Sequence, residues 1–123
     1  EPNEEPNLWE GSAKPQDGFV DDVFTFEVLY KDDLCFAIRD IAPRTPTHLL
    51  VIPIKHFTYL TELTVFDHTM LGGMFEAARE MANREGLDDS GYRLVINQGS
   101  DAGQGFPHIH VHLLAGKPLP PLG

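Results

Sequence analysis

The sequence has one cysteine in 123 residues, no basic stripe and no apolar run of membrane length. Each absence argues against a class of protein. With Cys35 alone there is no disulfide framework, and its setting in Leu34-Cys35-Phe36-Ala37-Ile38 reads as a buried structural thiol. Nine Lys and Arg stand against 19 Asp and Glu, a formal net charge of −10, so nothing supports a nucleic-acid groove binder. A small phosphorylated ligand stays open, because backbone N–H groups and imidazoles can neutralise a phosphate inside a pocket. No segment approaches the roughly 20 apolar residues that a membrane helix needs, and no signal-like stretch is seen, so a reducing cytoplasm is the default expectation. There is no internal repeat. No glycine-rich turn opens a helix after a strand, which argues against Rossmann and Walker-type phosphate sites.

The charge is also uneven. Residues 1–22 carry seven acids (Glu1, Glu4, Glu5, Glu10, Asp17, Asp21 and Asp22) against Lys14 alone. With Pro2, Pro6, Pro15, Gly11 and Gly18 among them, they read as an extended or disordered acidic arm, in which only Leu8 and Trp9 could dock on a surface. Residues 23–123 read as one folded domain, large enough to bury a core without covalent staples.

What the chain does have is histidine in strict alternation. Three of its six histidines stand in Pro107-His108-Ile109-His110-Val111-His112-Leu113-Leu114. On a β-strand, period two places all three imidazoles on one face and offers Ile109, Val111 and Leu113 to a core on the other. A helix would scatter the histidines, and β-branched Ile109 and Val111 also favour a strand. Neighbours at i and i+2 lie roughly 6.6 Å apart, close enough to grip a common ligand. Three uses follow from the chemistry: ligation of a metal, nucleophilic attack on phosphorus, or a plain polar strand face. The loop Gln98–Phe106 feeds directly into this strand with three glycines, whose N–H groups can approach an anion closely.

The rest of the chain supplies a scaffold. Phe24 to Tyr30 alternates aromatic and aliphatic residues, and Lys31-Asp32-Asp33 turns it into a second strand, Leu34–Arg39. Thr47–Ile52, closed by Pro53, is a third strand, and Tyr92–Asn97 a fourth. Thr64-Val65-Phe66-Asp67 has the form of a capping box for a helix running to about Glu85, with Gly86 as its terminator. Phe66, Met70, Met74, Ala77, Ala78 and Met81 form its core-facing stripe. Gly72-Gly73 in mid-helix predicts a close backbone contact. The expected fold is α+β: a five-stranded, mainly antiparallel sheet with one long helix on one face.

The histidine segment resembles the His-φ-His-φ-His-φ-φ signature of the histidine triad (HIT) family. Asp40-Ile41-Ala42-Pro43, Pro46 to Pro53, Lys55-His56 and Tyr92 through Gln104 resemble its Hint branch, over roughly residues 28–117. The resemblance implies a homodimer that joins two sheets into one of ten strands. It also implies a purine nucleotide site, with AMP or GMP as the nucleotide, and cleavage of nucleoside 5′-phosphoramidates at the α-phosphate without a metal or other cofactor. His110 would be the nucleophile, with His108, His112 and His48 around it. Asp40 would bind the ribose hydroxyls with Ile41 beside it. Asn97, Gly103, Gln104 and Gly105, together with His110 and His112, would bind the phosphate. Gly105 stands where this branch commonly has serine, a residue the resemblance links to the leaving group. Phe106-Pro107 replaces the usual pair before the first histidine, Ile54 a common lysine, and the tail lacks the usual tryptophan. The alternative to a hydrolase is a nucleotide-binding or scaffolding module with negligible turnover.

Overall fold

Five strands, Val28–Lys31 (β1), Cys35–Arg39 (β2), Thr47–Pro53 (β3), Arg93–Ile96 (β4) and Val111–Ala115 (β5), pair antiparallel in the order β1-β2-β3-β5-β4. The computed structural model describes residues 27–122, so the acidic arm and the expected strand start at Phe24 lie outside the described residues. Asp32 makes the β1–β2 turn. One carboxylate oxygen accepts the N–H groups of Leu34 and Cys35 at 2.7 and 2.9 Å, and the other accepts the Tyr30 hydroxyl at 2.6 Å. A short acceptor side chain that bonds its own following backbone closes such turns at little entropic cost.

Alternation along the strands gives the sheet two different faces. Ala37, Leu49, Val51, Val111 and Leu113 are fully buried against the helix His68–Arg84 (α1), which contributes Met74, Ala77, Ala78, Met81 and Ala82. Each large side chain so buried contributes roughly 1.5–3 kcal/mol. The opposite face carries His48 and His112, beside a small cluster of Phe36, Ile38 and Ile52. The α+β architecture therefore matches the expectation, with α1 holding one face and leaving the other for a site.

The start of the helix differs from the pattern reading. Thr64 is the cap, its hydroxyl accepting the Phe66 N–H at 3.1 Å while Asp67 accepts the Thr64 N–H at 2.8 Å. What it caps is a 3₁₀ turn, Val65–Asp67, and α1 begins only at His68. Three residues per turn shift Phe66 off the helical stripe, so it is 91% exposed and not part of the core. Gly86, at φ 75°, ends the helix as expected. The glycine pair divides in role. A Cβ on Gly73 would meet Leu34 at 2.9 Å, whereas Gly72 has nothing within 4 Å.

Register places the histidines. His112 pairs with Leu50 of β3 and Val95 of β4, and His48 pairs with Leu114. His48 is therefore the diagonal neighbour of His112 across the β3–β5 ladder, within reach of an imidazole ring. The regular ladder begins at Val111. Before it the chain bends at residues 106–108 and is anchored by the Ile109 N–H on the Phe57 carbonyl at 2.9 Å, so His108 and His110 precede the strand itself.

Candidate active site

A cavity of about 560 Å³ opens between the histidine strand and the glycine-rich loop. His48, His110 and His112 line one side of it, and Asn97, Gly103, Gln104 and Gly105 the other. Its volume falls within the range of small-molecule sites, about 300–1,000 Å³.

The hydrogen bonds assign each ring a tautomer. His110 lies 2.8 Å through Nδ1 from the His108 carbonyl, which can only accept. Nδ1 therefore carries the proton, and Nε2 keeps a free lone pair. His48 is oriented the other way, because its Nδ1 accepts the Arg44 backbone N–H at 3.0 Å. The proton of neutral His48 then sits on Nε2, which donates to His112 Nδ1 at 2.9 Å. With Nδ1 accepting, neutral His112 carries its own proton on Nε2. Two neighbouring rings, 4.8 Å apart between centroids, thus offer one acceptor and one donor.

Burial keeps these rings neutral. It pushes the pKa of His112 down to about 4, reinforced by His110 and His48, and it lowers His110 and His48 as well. For His48 the Asp40 carboxylate opposes the shift, and Arg44 reinforces it. Neutral imidazoles at pH 7 are what a nitrogen nucleophile requires.

Asp40 Oδ2 lies 3.4 Å from His48 Nε2, and Oδ1 accepts the Ala42 N–H at 2.8 Å. Asp40, His48 and His112 could each offer a ligand atom within 4.8 Å of the others, a spacing open to a metal ion. The tautomer argues against that use. The Arg44 N–H occupies the one lone pair of neutral His48, so its Nε2 donates a proton and would have to lose it before ligating anything.

Not every expected residue joins the cavity. Asp40 and Ile41 are not among its lining residues, although Asp40 reaches His48 behind it. His108 is fully buried away from it, with Nε2 donating to the Pro53 carbonyl at 3.2 Å and its ring 4.5 Å from that of His56. Its Nδ1 has no hydrogen-bond partner, and burial pushes its pKa down to about 4. The contribution of His108 to His110 is thus a backbone carbonyl.

The loop corrects the expectation that several of its N–H groups would be available. Gly103 and Gln104 donate theirs inside the loop, to Ser100 and Gly99 at 3.0 and 3.1 Å. The Gln104 side chain is a staple, accepting the Gly99 N–H at 2.7 Å and donating to the Thr58 carbonyl at 3.0 Å. The Gly105 N–H has no partner among the described residues and is the donor left for an anion. Five further lining residues were not among the site candidates read from the sequence: Arg44, Val95, Ala102, Phe106 and Leu114. Arg44 stands four residues before His48 and four after Asp40, the only signal that pointed to it.

Two of the three alternating histidines, His110 and His112, face the glycine-rich loop across the cavity, and the HIT domain model matches residues 23–119. The chain belongs to the HIT family. The purine nucleoside phosphoramidase of Escherichia coli strain K12 is 41% identical to it over 96 residues, 78% of this chain and 81% of that protein. A HIT family hydrolase from Legionella pneumophila Philadelphia 1 superposes with a TM-score of 0.74 at 41% identity, covering 78% of this chain and 86% of that one. A HIT family hydrolase from Clostridium thermocellum superposes at 0.77 and 34% identity, covering 85% and 90%. The HIT chain described here is thus similar to hydrolases of its family along most of its length. No helix among its described residues is long and apolar enough to cross a membrane.

Proposed function

We propose that this HIT protein hydrolyses nucleoside 5′-phosphoramidates, AMP or GMP joined to an amine, at the α-phosphate through a nucleotidyl-His110 intermediate. The observation that carries the reading is the pairing of tautomers: a free Nε2 lone pair on His110 beside an Nε2–H on His112. His110 attacks phosphorus, the P–N bond breaks and the amine leaves with a proton from the His112 side. Water then attacks the same phosphorus, the bond to His110 breaks, and the proton lent in the first step is returned. The products are the nucleoside monophosphate and the free amine. Splitting one displacement into two is the gain of covalent catalysis. The Gly105 N–H and His112 Nε2–H are suited to stabilise charge on the non-bridging oxygens.

The likeness to the Escherichia coli phosphoramidase supports this substrate class. Asp40 and Ile41 remain the proposed ribose contacts, reached from the exposed loop between β2 and β3. A homodimer with a continuous ten-stranded sheet is also proposed, since β4 stands at a sheet edge with backbone groups available for pairing. One observation favours a second reading, a binding module with negligible turnover: Gly105 has no side chain to assist a leaving group.

Mass spectrometry of protein quenched during turnover of an adenosine phosphoramidate, with EDTA present, tests the proposal. A transient adduct on His110, absent in His110→Ala together with turnover, is expected. Near-normal turnover by His110→Ala would refute the nucleophile. Tight nucleotide binding without turnover by the unaltered protein would favour the binding module.

A further inference from the structure

A second cavity, of about 250 Å³, adjoins the first and shares Gln104, Gly105 and Phe106 with it. We infer that this cavity is the leaving-group site, and that it takes an uncharged aromatic or apolar amine body carried out over Gly105. The inference rests on the hydrolase reading above and names its substrate class.

Of the three shared residues, two carry side chains and one has none. The Gln104 amide is committed to Gly99, Thr58 and Phe106. The Phe106 ring stands edge-on to His110 with centroids 6.1 Å apart. Gly105 has no side chain, and a Cβ added there would meet nothing within 4 Å. The two cavities therefore meet at a residue that puts no side chain between them.

In-line displacement at phosphorus puts nucleophile and leaving group on opposite sides. His110 lines the first cavity and not the second, so an amine departing away from it has the second cavity as its built destination. The volume lies just under the range of drug-sized sites, which suits a single ring and not a second nucleotide. The lining chemistry agrees. Tyr59, Phe106 and Pro107 supply apolar surface, and Thr58 uses its hydroxyl on the Pro107 carbonyl at 2.9 Å. No carboxylate, ammonium or guanidinium lines it, so it holds no charged partner for an ionised leaving group.

The test compares two ligands, AMP and its phenethylamine phosphoramidate, by calorimetry on His110→Ala and by turnover on the otherwise unaltered protein. On His110→Ala the conjugate should bind about tenfold tighter than AMP. Adding Tyr59→Ala, or Ser100→Trp to fill the cavity, should remove that difference. Equal affinity for conjugate and AMP, or a difference that survives both variants, would overturn the site even if turnover stands. If the unaltered protein cleaves no phosphoramidate but the difference appears and responds to both variants, the site stands and the hydrolase reading falls.

Discussion

His48 never touches phosphorus in the scheme above, yet replacing it should slow the reaction. In His48→Phe the ring volume is kept at a position only 5% exposed, so packing is largely preserved. Three groups lose their partner. The Arg44 N–H belongs to an exposed residue and can turn to water, and Asp40 keeps its bond from Ala42. The half-buried His112 Nδ1 has no such recourse, and an unsatisfied buried acceptor costs about 1–3 kcal/mol. The part of this felt equally with and without substrate reduces stability alone. The rest is specific to the transition state: a donor on Nδ1 polarises the His112 ring and strengthens Nε2–H as negative charge develops before it. If that part is about 1–2 kcal/mol, kcat should fall roughly five- to thirtyfold. His48→Gln, whose amide can still donate to His112, should recover most of the loss. Steady-state kinetics on an AMP phosphoramidate, with thermal unfolding to verify folding, measure both variants. A folded His48→Phe with kcat within twofold of the original would refute the relay.

Acid should weaken the fold in a defined window. Histidines of the unfolded chain take up protons near pH 6.5, whereas buried His108 and half-buried His112 resist until about pH 4, so stability is full above 6.5 and lost as pH falls towards 4. Burial of His108 alone corresponds to a limit of about 3 kcal/mol, and His108→Phe should flatten the pH dependence of the urea midpoint; an unchanged slope would contradict this. The helix glycines offer an internal control. Gly72→Ala should stabilise by about 1 kcal/mol, while Gly73→Ala, whose Cβ would sit 2.9 Å from Leu34, should gain clearly less. Equal gains in chemical denaturation would show that Leu34 yields freely.

The alternation His108 to Leu114, the Thr64 cap and the Met70, Met74, Met81 spacing were legible in sequence, because period and capping are local properties. They determined an α+β protein with one sheet face covered by a helix, and they pointed to a candidate site on the other. Phe66 was misread because a 3₁₀ turn and an α-helix share a cap but not a period. What only the tertiary structure decided was the division of labour among similar residues. Antiparallel register, set across 64 residues of chain, brings His48 onto His112 and assigns both tautomers. A buried contact with Pro53 takes the His108 ring out of the cavity and leaves its carbonyl to orient His110. Loop folding consumed the N–H groups of Gly103 and Gln104 and left that of Gly105, a residue that lines both cavities. Donors, acceptors and empty space at a site are set by which distant backbone atoms arrive next to a side chain, and no spacing rule within one strand carries that information.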